Sequence, residues 1–384
     1  MTERVLITGA RSAAALDLAR DFRALGFEPH LADCSPAWIA RLSRRVEAVH
    51  RYPSPVFDPS GFRAAIAALA LRLSPRLIVP ACEEVFHLAA PSLRPAIGSR
   101  LYAPRLETLR RLHDKLAFAE ACGDWSLPVP QTQVLGDRDR YAANSTEWVF
   151  KPRFTRFGES ALIGPSAAQL AALHVPAGQG WIAQRRVRGT EVCFHAAASH
   201  GRVTAFAAYR SAWRMGGGAS FAFDTVSAER SQQLFSIAQT LAAAAMITGQ
   251  FACDAIIDAQ GQPWLIECNP RATSGVHLLT GDGLLASAIL GNRDQVHAPS
   301  AAPAHLAPAM LVYGLPMAVG EGRLAEWCQA MSAGRDVLAR PGDRLPLLGA
   351  LRDAAQFAFT GRRRGISATA ATTRDIEWNG EDLP

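Results

Sequence analysis

The sequence predicts a mixed fold, α/β at its start and α+β in its middle, and three observations carry that prediction. Short apolar runs alternate with helical patterns over the first 80 residues, as in parallel βα units. Paired strand-like runs with tight turns follow between residues 180 and 270, as in an antiparallel sheet. Hydrophobic residues make up 49% of the 384-residue chain, enough for buried cores, and the length suits two or three domains.

The elements follow in order. RVLITG at 4–9 is a strand ending in glycine, and an Ala/Leu-rich helix runs from Ser12 to Leu25 until Gly26 ends it. FEPHLADC at 27–34 and RLIVP at 76–80 are further strands. Residues 104–122 have apolar positions at helical spacing and read as one helix carrying Lys115. LPVPQTQVL at 127–135 is a turn into a strand, and EWVFK at 147–151 is a strand stopped by Pro152. Strands are expected at 180–187, 190–198 and 202–210, the last two joined at Gly201, and a helix at 228–248. Residues 251–257 and 263–269 form a hairpin. Beyond about residue 300 the composition shifts to Ala and Pro, with a strand-like LVYGL, a helix near 346–359 and a loose WNGEDLP.

Several classes are disfavoured. Net charge is +6, but no basic run exceeds Arg362-Arg363-Arg364, so nucleic acid binding is not indicated. The seven cysteines are odd in number with no C-x-x-C pair, which reads as reduced thiols in a cytoplasmic protein without disulfides or a zinc site. MTERVLITGA enters a strand without a signal-like apolar region, and the most apolar later stretch is broken by Gln239, Gln250 and Asp254, so no membrane span is expected. The first glycine turn, Gly9-Ala10-Arg11-Ser12, is not G-x-G-x-x-G, which disfavours a dinucleotide site.

The chemistry begins with a compositional oddity. Of 40 Lys+Arg only two are lysine, Lys115 and Lys151. An Arg-rich chain that keeps two lysines points to positions needing a compact ammonium charge. After Lys151, RFTRFGES offers Arg153, Arg156, Gly158 and Ser160 as donors for phosphate oxygens. In the 251–269 hairpin a four-residue loop, Ala259 to Gln262, sets Asp254 opposite Glu267, with Asn269 on the same face. Two facing carboxylates repel. With an amide oxygen they make a hard-oxygen set suited to Mg²⁺ held jointly with phosphates; the plainer reading is a solvated acidic face. Arg271 follows closely enough to aim its fork at a phosphate or carboxylate. In QRRVRGTEV, 184–192, a strand edge can meet an adenine ring and Glu191 can hold ribose hydroxyls, although an ordinary strand and turn explains the segment as well.

Taken in order, Lys115, the KPR at Lys151, QRRVRGTE, Asp254 and LIECNPR at 265–271 resemble the ATP-grasp superfamily, in its carbamoyl-phosphate synthase large chain and biotin carboxylase branch. The resemblance implies an ATP-grasp fold with an N-terminal Rossmann-like pre-ATP-grasp domain (1–110), a small lid domain (111–183), a central domain (184–299) and a C-terminal extension (300–384). It implies ATP and two Mg²⁺ ions. Lys115 and Lys151 would contact the phosphates, with Arg153, Ser160 and Arg210 as further nucleotide-side contacts. Gln184, Arg185 and Val187 would surround adenine, and Glu191 would bind ribose. Asp254, Glu267 and Asn269 would hold Mg²⁺, and Arg271, with Lys151, would serve catalysis by steadying an acyl-phosphate. The chain departs from the family in its glycine-poor lid loop and in having Asp rather than Glu at 254. The implied activity is an ADP-forming carboxylate–amine ligase acting on small molecules, compatible with a homodimer. Alternatives are a nucleotide-binding regulator without ligation and a carboxylase-type enzyme with a separate carrier, since no A-M-K-M biotin-accepting segment is present.

Four further features have two readings each. Glu83 or Glu84 either meets a substrate amine or favours a helix N-terminus. Arg210, Arg214 and the segment Met215 to Ser220 form either a substrate loop or a connector. His277 is either a pocket residue or a packed helix histidine, and Trp213, Phe221 and Phe223 either line a pocket or fill the core.

Overall fold

The computed structural model describes residues 2–156, 160–176, 178–214, 220–293, 296 and 302–384. The first four strands, β1 (Arg4–Thr8), β2 (Glu28–Asp33), β3 (Ala48–Arg51) and β4 (Leu77–Pro80), form a parallel sheet in the order β3-β2-β1-β4. Ser12 caps the helix Ala13–Ala24 by accepting from Ala15 N, and Gly26 (φ +85°) turns the chain back into β2. Strand β3 and the helix Pro59–Leu73 add to the expected units. Their alanine- and arginine-rich sequences carry weak periodicity, which hid them.

A second sheet holds β5 (Thr132–Val134), β6 (Trp148–Pro152), β7 (Leu162–Ile163) and β8 (Trp181–Arg185) in the antiparallel order β5-β8-β6-β7. Tyr141, Trp148, Phe150, Leu170 and Trp181 fill its small core.

The third sheet runs β13-β12-β9-β10-β11-β14-β15: β9 is Thr190–Ser199, β10 Arg202–Arg214, β11 Ser220–Thr225, β12 Gly249–Ile257, β13 Pro263–Asn269, β14 Ala304–His305 and β15 Arg335–Asp336. Both of its faces are covered. Along β9, Val192, Phe194, Ala196 and Ala198 pack toward the helix Ala228–Ala244, while Cys193 and Ala197 face the layer that includes the helix Ala13–Ala24. The alanines leave room for both layers to approach closely.

Several expectations need correction. The helix expected over 104–122 is two helices, Leu106–His113 and Lys115–Asp124, because Asp114 is extended (ψ 113°) and caps the second one by accepting from Leu116 N. LVYGL is helical, within a run of helical turns over 307–320: Leu311, Val312 and Tyr313 are exposed, and it is the flanking Met310 and Ala318 that pack on Trp213 and Phe221. The strand expected to end at 187 ends at Arg185, and the one expected to end at 210 continues to Arg214. WNGEDLP is docked, not loose: Trp378 is 1% exposed and stacks on Phe86. The seven cysteines are free thiols. Among the described residues no helix is long and apolar enough to cross a membrane.

Candidate active site

The hairpin β12–β13 is the base of the site. Asp254 pairs in register with Glu267, as expected, but by a different route. The loop is one residue longer than expected, so Ile257 faces Pro263 and Ala255 faces Leu265. A bulge between Asp254 and Ala255 then absorbs Ile266 and restores the Asp254–Glu267 pairing. The bulge also exposes a carbonyl: Lys151 Nζ, at the end of β6, donates to Ile266 O at 3.4 Å.

Lys115 arrives from a third element. It is the first residue of its helix, placed there by the Asp114 cap, and its Nζ lies 3.2 Å from Glu267 Oε2 and donates to Thr155 O at 3.2 Å. Both ammonium groups are nearly dry, with Lys115 3% and Lys151 5% exposed. Burial lowers the Lys151 ammonium to about 8; repulsion from Lys115 adds to this, and attraction to Glu267 and Asp254 limits it. Burial and Glu267 raise the Asp254 carboxyl. Burial also works to raise Glu267, but Lys115 and Lys151 outweigh it and hold that carboxyl low. Burial and repulsion raise one of the facing acids while two cations hold the other low, as in a site arranged for function.

Asn269 lies two residues beyond Glu267, and its Oδ1 accepts from Arg271 Nη2 at 3.3 Å. Arg271 Nη2 also lies 3.6 Å from Glu83 Oε1, on the loop after β4. Glu83 is 1% exposed and pairs through its other oxygen with Arg156. Both acids begin the helix Glu84–Leu88, as the plainer reading of that loop has it, and Glu83 also stands beside Arg271. Glu84 instead turns inward to accept from Thr8 Oγ1 at 2.6 Å and from Cys82 N at 3.2 Å. The neighbouring His113 is buried, and burial together with Arg156, Lys115 and Arg271 keeps its imidazole neutral.

Most of the remaining candidates have partners of their own. Arg153 is held by Asp114, with Nε to Oδ1 at 2.9 Å, so its guanidinium secures the helix start rather than standing free. Gln184 is buried in the small sheet and donates to Thr132 Oγ1 at 3.0 Å. Arg185 lies over the Trp148 ring at 5.5 Å, and Val187 follows just beyond β8. Gly189 marks a close backbone approach: a Cβ there would stand 1.9 Å from Ile257 O. Glu191 pairs with Arg214, and Arg210 is an exposed residue of β10 opposite Asp224. Ser160 is exposed. Gly158 and residues 215–219 lie outside the described residues. His277 is the packed helix histidine, its Nδ1 2.9 Å from Asp17 Oδ2, and Trp213, Phe221 and Phe223 are core.

Asp254, Glu267 and the Asn269 amide fit a hard divalent cation shared with phosphates, since the two carboxylates repel and only one is directly paired with a lysine. Among the described residues no set of three His, Cys, Asp or Glu forms a complete cage. Sequence reading missed Asp114 and the Thr155 and Ile266 carbonyls, and it offered Arg156 as a phosphate donor where the structure pairs it with Glu83; of the missed groups only Asp114, a capping residue directly before Lys115, left a signal.

Residues 112–275 match the family model described as an ATP-grasp domain. This segment has the fold of an ATP-grasp domain. It contains every nucleotide and metal candidate from Lys115 to Arg271. The ATP-grasp fold extends into the flanking parts of the chain, as solved structures show. The biotin carboxylase domain of Hydrogenobacter thermophilus 2-oxoglutarate carboxylase, in complex with MgADP, ADP and bicarbonate, is 16% identical with TM-score 0.61, covering 77% of this chain and 72% of that one. N5-carboxyaminoimidazole synthetase from Staphylococcus aureus is 12% identical with TM-score 0.61, covering 79% and 82%. L-amino acid ligase from Bacillus licheniformis is 13% identical with TM-score 0.56, covering 75% and 74%. At these identities the ATP-grasp fold is what is shared. No curated protein matches the chain by sequence.

Proposed function

We propose that the protein is an ATP-dependent, ADP-forming ligase that activates a carboxylic acid as its acyl-phosphate and joins it to an amine. The observation that carries this reading is the convergence of the two lysines, from different elements, on one acid-bearing hairpin: Lys115 on Glu267 and Lys151 on Ile266 O. Buried ammonium groups beside carboxylates suit a polyphosphate whose charge both must balance. Residues 111–183 act as the lid and 184–299 as the opposing wall in this reading. Gln184, Arg185 and Val187 frame the adenine, Glu191 the ribose, and Arg153, Ser160 and Arg210 lie on the nucleotide side.

Asp254, Glu267 and Asn269 would hold Mg²⁺, which supplies charge neutralisation for the phosphates. Lys115 and Lys151 orient the β- and γ-phosphate oxygens. A substrate carboxylate oxygen attacks the γ-phosphorus; that P–O bond forms as the β–γ bridging P–O bond breaks, and ADP leaves with the electron pair. Arg271 steadies the acyl-phosphate. The amine nitrogen then attacks the acyl carbon, phosphate departs with the C–O electron pair, and the ammonium proton is released to solvent. The work is positioning and charge balance, so no serine or cysteine nucleophile is needed.

The test is calorimetric binding of Mg·ATP to the wild type and to Lys151→Met, with NAD as a control. The wild type binds Mg·ATP only with the metal present, and the variant binds about 10–100-fold more weakly. Equal affinity in the two proteins removes Lys151 from the nucleotide site. A screen of carboxylic acids, bicarbonate included, with amines then follows ADP release; binding without release under any pair favours a regulator that does not ligate.

A further inference from the structure

Residues 375–384 cross the C-terminal ends of the parallel sheet, the edge where open α/β sheets receive ligands. Asp375 is tied there by Arg11, whose Nη1 lies 2.6 Å from Asp375 Oδ1 and whose Nη2 lies 2.6 Å from Asp33 Oδ1 at the end of β2. Ser54 Oγ donates to Asp375 O at 2.6 Å, and Cys34 Sγ to Asp375 Oδ2 at 3.3 Å. His87 Nε2 lies 3.3 Å from Glu377 O. Trp378 is packed against Phe86 at 4.8 Å and Phe154 at 5.4 Å between ring centroids, and its Nε1 donates to Glu381 O at 2.7 Å.

The same residues grip the short arm 153–156. Arg156 donates to Trp378 O at 2.6 Å and to Asn379 Oδ1 at 2.7 Å, lies 3.6 Å from Glu377 Oε2 and pairs with Glu83. Gly380 (φ +99°) passes so close to Phe154 that a Cβ there would meet the ring at 2.8 Å. The arm is therefore held on both sides. Asp114 and Lys115 take it at Arg153 and at Thr155 O, and residues 377–380 take it at Phe154 and Arg156. Glu83, fixed by Arg156, is in turn the carboxylate beside Arg271.

We propose that residues 375–384 are a positioning element of the nucleotide site, holding the 153–156 arm on Lys115 and Glu83 on Arg271. The part that concerns ATP rests on the ligase reading; the mechanical part does not. None of these residues touches the reacting atoms, so the role is one of placement.

The experiment compares the full chain with Trp378→Ala, Trp378→Phe and Asn379→Ala. Amide hydrogen exchange is followed at residues 153–156 and, as a distant reference, along β10, and Mg·ATP binding is measured by calorimetry. The Ala variant at 378 speeds exchange of the arm about tenfold or more while β10 is unchanged, and weakens Mg·ATP about tenfold. The Phe variant, which keeps the ring packing, restores both. Asn379→Ala, which removes the acceptor of one of the Arg156 bonds on an exposed side chain, gives a smaller change of the same sign. Arm exchange and affinity at wild-type level in folded Trp378→Ala overturn the proposal. Should that variant fail to fold, unchanged arm exchange in both Asn379→Ala and Arg156→Lys overturns it. If the wild type does not bind Mg·ATP, the ligase reading fails, and arm exchange alone decides whether the clamp exists.

Discussion

Lys151 is a charge the apo fold pays to keep. Its ammonium is 5% exposed, and burial lowers it from the ordinary 10.5 to about 8. Below about pH 8 the folded chain must hold that charge in a poor environment, a penalty on the order of 3 kcal/mol. Between 8 and 10.5 the unfolded chain binds the proton that the folded chain has released, so wild-type stability rises with pH there. Lys151→Met, similar in length and uncharged, is thus expected to be the more stable protein at pH 7 in the absence of nucleotide. Its advantage shrinks as pH approaches 10. Thermal melts of both proteins from pH 7 to pH 10 check this, and a less stable variant at pH 7 contradicts it. At this scale the site was legible because lysine is scarce: against 38 arginines, two lysines stand out, and both come to the hairpin. Arg156 was legible as a donor but its partners were not, because they include a segment more than 200 residues away.

Among the elements, the break at Asp114 decides where Lys115 points. A continuous helix would bury the position in the middle of a turn pattern; the extended Asp114 makes it the first helical residue instead. Asp114 is doubly committed, as a cap to Leu116 N at 3.0 Å and as the partner of Arg153 Nε at 2.9 Å. Asp114→Ala removes both and is expected to lower stability by about 1–2 kcal/mol. Asp114→Asn keeps the cap and recovers part of that loss. Chemical denaturation of the three proteins measures it, and equal stability of Ala and Asn would assign the whole effect to the ion pair. The break escaped the sequence reading because LETLRRLHDKLAFAEA keeps helical spacing straight through it. The hairpin register was legible at Asp254–Glu267 but not its bulge, since loop length and bulge offset each other by one residue.

For the whole molecule, the alternating units at the start and the antiparallel strands in the middle were readable from apolar periodicity, whereas the part after residue 300 was not. Its short strands β14 and β15 extend the large sheet, and its polar residues reach back to the first helix, contacts that no local pattern encodes. Asp17 is the centre of that closure. Its carboxylate accepts from Arg340 Nη2 at 2.8 Å and Arg20 Nη1 at 3.0 Å and lies 2.9 Å from His277 Nδ1, so three distant stretches of chain meet on one buried group. Burial opposes its ionisation, but the His277 hydrogen bond and the Arg340 and Arg20 charges overcome this and hold the carboxyl below the usual range. Because the folded value is depressed, the stabilisation is present above the ordinary carboxylate pKa and is lost as pH falls below it. Asp17→Asn leaves Arg340 and Arg20 without their shared anion and is expected to destabilise the fold by about 3–5 kcal/mol at pH 7. The gap between the two proteins narrows as pH drops from about 4 toward 2, because acid neutralises the wild-type carboxylate that the variant already lacks. Urea unfolding at pH 7 and at acid pH tests both parts. A gap that stays constant with pH would mean that the ionised carboxylate is not what holds the later part of the chain to the first helix.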